Sequence, residues 1–178
     1  MIRAPMASPP EDPLDVGQCA SQRVELEREF EVREFERLRD SVSRPEGRAA
    51  VSLRFKFAGS LAAAEGSVSG GVWLVCQRCL GDFEARLESP VRIAFVDSDE
   101  DAATVPEDYE AVTVDAGRLA LADFVEDELL LALPLVPMHA TLAECGVKRE
   151  AAAEESAPTV EKGPVHRPFA ALQDLLKR

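Results

Sequence analysis

The chain has 178 residues, of which 46% are hydrophobic, and its 33 acids against 20 bases give a formal net charge of −13. That length and composition allow one main core, and the charge argues against a broad nucleic-acid surface, because phosphate contacts need clustered Lys and Arg. No apolar run reaches the roughly 18 residues needed to cross a membrane, and the opening "MIRAPMASPPEDPLD" has no apolar signal-peptide core. A cytoplasmic location is therefore expected. Thiols stay reduced there, so the four cysteines are better read as metal ligands or inert thiols than as disulfides. The charge is uneven: residues 1–95 are close to balanced, and residues 96–178 are strongly acidic.

Residues 1–20, with Pro5, Pro9, Pro10 and Pro13, read as an extended arm that carries Cys19. A single α+β domain is expected over residues 21–145. In "RVELEREFEV", Val24, Leu26, Phe30 and Val32 alternate with charges, and period two predicts a strand. "REFERLRDS" (33–41) reads as a short helix ended before Pro45 and Gly47. "AVSLRFKFAG", "EGSVSGGVWLVC" and "DFEARLESPVRIAFV" then predict three strands of an antiparallel meander, with Pro90 breaking or bulging the last. Residues 97–110 hold seven acids and no base, the pattern of a solvated, mobile loop, and "YEAVTV" returns as a strand.

"GRLALADFVEDELLLAL" is the strongest helical stretch: apolar residues recur at helical spacing over 118–133 until Pro134 ends the run. Asp123, Glu126 and Asp127 share a face of it. Without a nucleophile beside them, like charges at this spacing mark a solvated face or one that meets a basic partner. Residues 146–166, rich in Ala, Glu and Pro, read as a disordered linker, and 167–178 as a short amphipathic segment built on Phe169, Leu172, Leu175 and Leu176.

The Cys76–Cys79 pair is followed by the alternation of Phe83, Ala85 and Leu87, which places it on a turn between strands. A thioredoxin-type pair needs a helix N-terminus to stabilise its thiolate, so redox catalysis is disfavoured. Downstream, His139 and Cys145 complete a Cys₃His set suited to tetrahedral zinc, and Gly81 follows the pair as in a zinc knuckle. Reduced thiols at the sheet edge are the plainer reading, and a structural zinc stands beside it as the candidate cofactor. Phosphate-binding loops, GxSxG, HExxH and deaminase-type zinc motifs are absent, so no catalytic residue is assigned and no enzyme is expected.

Together, "CQRCL", "PEDYE", "VEDELLLALPLVPMH" with a following cysteine, and "RPFAALQDLLKR" resemble the bacterial large ribosomal RNA subunit accumulation protein family, YceD, which also has chloroplast relatives. The resemblance runs over residues 14–178. It is carried by Cys76, Gln77, Arg78 and Cys79, by Glu126, Asp127 and Glu128, by Leu131 to Pro134, and by Val136, Pro137, His139 and Cys145. The spacer 141–145 and the Ala/Glu linker are this chain's own.

The resemblance implies a non-enzymatic factor in the synthesis, processing or stability of 23S rRNA, with no catalytic residues to carry over. The acidic half suggests that it docks a basic ribosomal protein or assembly factor, with Gln77, Arg78, Asp123, Glu126, Asp127 and Glu128 as candidate binding residues. Three alternatives remain: direct RNA binding through Arg78, Arg86 and Arg92, a structural zinc-knuckle adaptor, and, last, an enzyme with an acidic-helix site. The oligomeric state stays open.

Overall fold

The computed structural model describes residues 13–146. The linker and amphipathic segment expected beyond Gly146, and the first twelve residues of the expected arm, lie outside them. In chain order the elements are β1 (Leu14–Asp15), α1 (Val16–Gln22), β2 (Glu25–Glu31), a 3₁₀ turn (Val32–Glu34), α2 (Glu36–Ser41), β3 (Arg44–Ala58), β4 (Leu61–Val75), β5 (Asp82–Val96), a 3₁₀ turn (Asp99–Thr104), β6 (Glu110–Thr113), β7 (Arg118–Leu119) and α3 (Leu121–Leu131).

Strands β3 to β5 form the expected antiparallel meander, β2 adds a fourth antiparallel strand beside β3, and β6 joins β5 in parallel, for the order β2-β3-β4-β5-β6. The register explains the sequence alternation. Leu53 faces Leu26 and Gly66, Val51 faces Val68, and Ile93 faces Ala64, so one face of the sheet is apolar. Glu25 opposite Arg54 and Glu31 opposite Arg48 lie on the other face, in water. Helix α1 lies on β3 and β4, α3 on β4 and β5, and α2 against α3. The core between them contains Val16, Phe35, Leu38, Leu53, Val68, Ile93, Leu121, Val125 and Leu129. Gly70 makes room for α3, because a Cβ there would meet Leu129 Cδ2 at 3.0 Å. Gly47, at φ +150°, sits where the β3–β4 register shifts, and a side chain would run into the carbonyl of Gly71.

Five expectations need correction. The arm does not extend through residue 20. Asp15 accepts a 2.8 Å bond from the Gln18 N–H and caps α1, which buries Val16, Cys19 and Ala20. Residues 118–119 are not helical; they pair with β1, and the helix begins at Leu121. The segment 33–41 splits into a 3₁₀ turn and a shorter α2, with Phe35 extended between them. Pro90 neither breaks nor bulges β5. Opposite Ser67, it lies where β6 does not reach, so its missing N–H costs no ladder bond on that side. The acidic stretch is not all loop: Asp99–Thr104 forms a 3₁₀ turn, with Ser98 Oγ bonded to Asp101 at 2.7 Å and Tyr109 OH donating to Glu65 at 2.7 Å.

Candidate metal centre

β4 ends at Val75 and β5 begins at Asp82, so the six residues between them form a tight turn. The Cys76 N–H donates to Gly81 O at 2.9 Å, and the Leu80 N–H to Cys76 O at 2.8 Å. Closing the turn this tightly holds Leu80 at φ +60°, a left-handed conformation that a bulky residue adopts only at a cost on the order of 1 kcal/mol. The turn aims the sulfurs of Cys76 and Cys79 the same way.

The second pair arrives on the segment after α3. Pro134 ends the helical run, and the Gln77 N–H bonds Pro137 O at 2.8 Å, pinning this segment to the turn. Thr141 and Glu144 then close on each other. Thr141 Oγ1 accepts from the Glu144 N–H at 3.3 Å, Glu144 Oε2 accepts from the Thr141 N–H at 3.4 Å, and the Cys145 N–H donates to Leu142 O at 3.2 Å. The ring of Phe83 packs against that of His139 with centroids 4.9 Å apart, which orients the imidazole.

The four ligand atoms of Cys76, Cys79, His139 and Cys145 all lie within 4.8 Å of one another, so the group is positioned to hold a metal. Cys76 Sγ is 3.9 Å from Cys145 Sγ, and His139 Nδ1 is 3.5 Å from Cys79 Sγ and 3.6 Å from Cys145 Sγ. A tetrahedral zinc with Zn–S of about 2.3 Å and Zn–N of about 2.0 Å requires S···S edges of about 3.8 Å and S···N edges of about 3.5 Å. The residues fit the ion. Cys19, the fourth cysteine, is a free thiol on the buried face of α1 and takes no part in the group.

Electrostatics favour a thiolate here. Burial opposes the ionisation of Cys76, but the backbone N–H groups of His139, Cys79 and Arg78 outweigh it and hold the thiol at about 5. Cys145 is pushed up, first by burial and then by the neighbouring thiols, against the opposing pull of Arg78. Arg78 points into the group: Nε donates to Cys145 Sγ at 3.1 Å, and Nη2 to His139 O at 2.9 Å and Thr141 O at 3.0 Å.

The acidic helix does something different from what its pattern suggested. Glu126 is buried rather than solvated. It accepts from the backbone N–H groups of Arg37 at 2.6 Å and Leu38 at 2.9 Å, and from the Arg37 guanidinium at 2.9 Å. Burial would raise its pKa, but the Leu38 and Arg37 donors hold the carboxyl below the usual carboxylate range. Asp127 pairs with Arg37 at 2.6 Å and Glu128 accepts from Ser89 Oγ at 2.6 Å, whereas Asp123 is exposed. Two participants escaped sequence reading. Phe83 looked like one member of a strand alternation, and Arg37 lies 89 positions before Glu126.

The family model for large ribosomal RNA subunit accumulation protein YceD matches residues 64–176. A protein of that name from Haemophilus influenzae is 33% identical over 167 residues, covering 93% of this chain and 95% of the relative. The chain belongs to the YceD family. The family match contains all four members of the thiol–imidazole group as well as α3. No solved structure matches the chain. No helix among the described residues is long and apolar enough to cross a membrane.

Proposed function

We propose that this chain supports the accumulation of large-subunit (23S) rRNA without catalysing a reaction, as a docking factor whose binding corner is stapled by one structural zinc. The observation that carries the reading is the convergence of Cys76, Cys79, His139 and Cys145 to within 4.8 Å, three of the separations at tetrahedral edge lengths, from parts of the chain sixty or more residues apart. Four protein ligands leave no coordination position for water, so such an ion holds structure together and activates nothing. The stapled corner also carries Leu80, Leu135, Val136, Met138 and Leu142 exposed, in a chain that is otherwise strongly acidic. Apolar anchors beside net negative charge suit a basic protein, a ribosomal protein or assembly factor, better than bare phosphate.

Direct RNA binding through the arginines near the turn has less support. The Arg78 donors are committed to Cys145, His139 and Thr141, and Arg92 lies over the Tyr109 ring with Glu65 3.4 Å away. Metal analysis of the purified chain, combined with in-cell crosslinking that identifies both protein and RNA partners, tests the proposal. One tightly held zinc and a basic ribosomal or assembly protein are expected. Zinc-free protein overturns the staple, and recovery of rRNA alone at moderate salt overturns the docking partner.

A further inference from the structure

We propose that Arg78 is a positioning residue for the metal, clamping the His139–Cys145 half of the ligand set onto the Cys76–Cys79 half. The inference rests on the zinc reading above and assigns a role to a residue that the sequence offered as a binding arginine. Arg78 lies between the two cysteines of the turn, so its backbone moves with the first pair of ligands. All three acceptors of its side chain belong to the second half: Cys145 Sγ at 3.1 Å, His139 O at 2.9 Å and Thr141 O at 3.0 Å. Two of these are a ligand sulfur and the carbonyl of the ligand histidine, and the third is the carbonyl of the residue that opens the turn before Cys145.

Guanidinium chemistry suits this task. Its donors lie in one plane at fixed angles, so they can meet a sulfur and two carbonyls together, which a lysine ammonium cannot reproduce. The charge fits as well. Three thiolates around a divalent ion leave one negative charge uncompensated, and Arg78 places a positive charge against the Cys145 sulfur. A phosphate would have to compete for the same donors, so loss of Arg78 acts through the metal rather than through RNA.

The test compares full-length wild type with Arg78→Ala and Arg78→Lys, each loaded with zinc and titrated against a chromophoric chelator. The same variants loaded with cobalt report the ligand field. Arg78→Ala should weaken zinc by about 10- to 100-fold, and Arg78→Lys should recover only part of that loss. Cobalt should keep a tetrahedral three-sulfur spectrum with a shifted sulfur-to-metal charge-transfer band, because no ligand has been removed. In cells, excess zinc should restore rRNA accumulation to the Arg78→Ala strain. Wild-type affinity and spectrum in Arg78→Ala, or a defect that zinc cannot correct, overturns the clamp. A wild-type protein that takes up no zinc overturns the metal reading itself, so the two failures are told apart.

Discussion

Helix α3 stands between two polar clusters, each built from residues that are far apart in sequence. On its flank, the carboxylate of Glu126 is enclosed by the Arg37 and Leu38 N–H groups and the Arg37 guanidinium, and every donor has its acceptor. Beyond its C-terminal end, three sulfurs and an imidazole lie within 4.8 Å of one another, with three of the separations at 3.5–3.9 Å. The first cluster is complete in protein alone. The second has the geometry of a shell around an ion. Buried polar groups that are fully satisfied fix a fold, whereas converging soft ligands are positioned to take up a cation between them.

The largest effect should come from breaking the complete cluster. Glu126→Ala leaves two backbone N–H groups buried without their acceptor, and should cost about 3 kcal/mol in urea denaturation, with or without chelator. A loss that appeared only in the zinc-free protein would show that the two clusters are not independent. Stripping the metal, or introducing Cys145→Ser, should have a smaller and local effect. Amide exchange should quicken across residues 76–81 and 134–146 while the β3–β5 ladders keep their protection. Arg37→Ala should cost less than Glu126→Ala in the same denaturation experiment, because the backbone donors to Glu126 remain and the Arg37 side chain is 54% exposed.

The smallest effect concerns a third cluster, on the sheet surface. There Lys56, and then Tyr109, hold the Glu65 carboxyl at about 2. A depressed carboxylate stabilises the fold fully above its unfolded pKa, and that stability disappears as pH falls through the folded value. Glu65→Gln should therefore lower the melting temperature slightly at pH 7, and the gap to wild type should close between about pH 4.5 and pH 2. A gap that persisted at pH 2 would mean that Glu65 acts by packing rather than by charge.

The meander and the long helix were legible because their information is local: alternation in "SLRFKF" and helical spacing in "LADFVEDELL" each report one buried face. The seven-residue α1 was not, because the prolines up to Pro13 mask a helix that depends on the Asp15 cap and on burial under the sheet. Nor could the pattern around Glu126 announce burial, since its partner comes from α2, 89 positions earlier. For the candidate metal centre, the Cys76–Cys79 turn was readable as a turn. The irregular interval between His139 and Cys145 left their membership open until the Thr141–Glu144 turn showed how that interval is folded up.

By itself, the order of residues determined the five strands of the main sheet, where the strongest helix runs and that two cysteines sit on a hairpin turn, because each depends on neighbours within a few positions. Only the tertiary structure decided that Glu126 is an internal acceptor, that Arg78 faces sulfur, and that His139 and Cys145 meet Cys76 and Cys79. The physical reason is that contacts across sixty or ninety residues are selected by the packing of whole elements on one sheet face, and no local periodicity records which elements those will be.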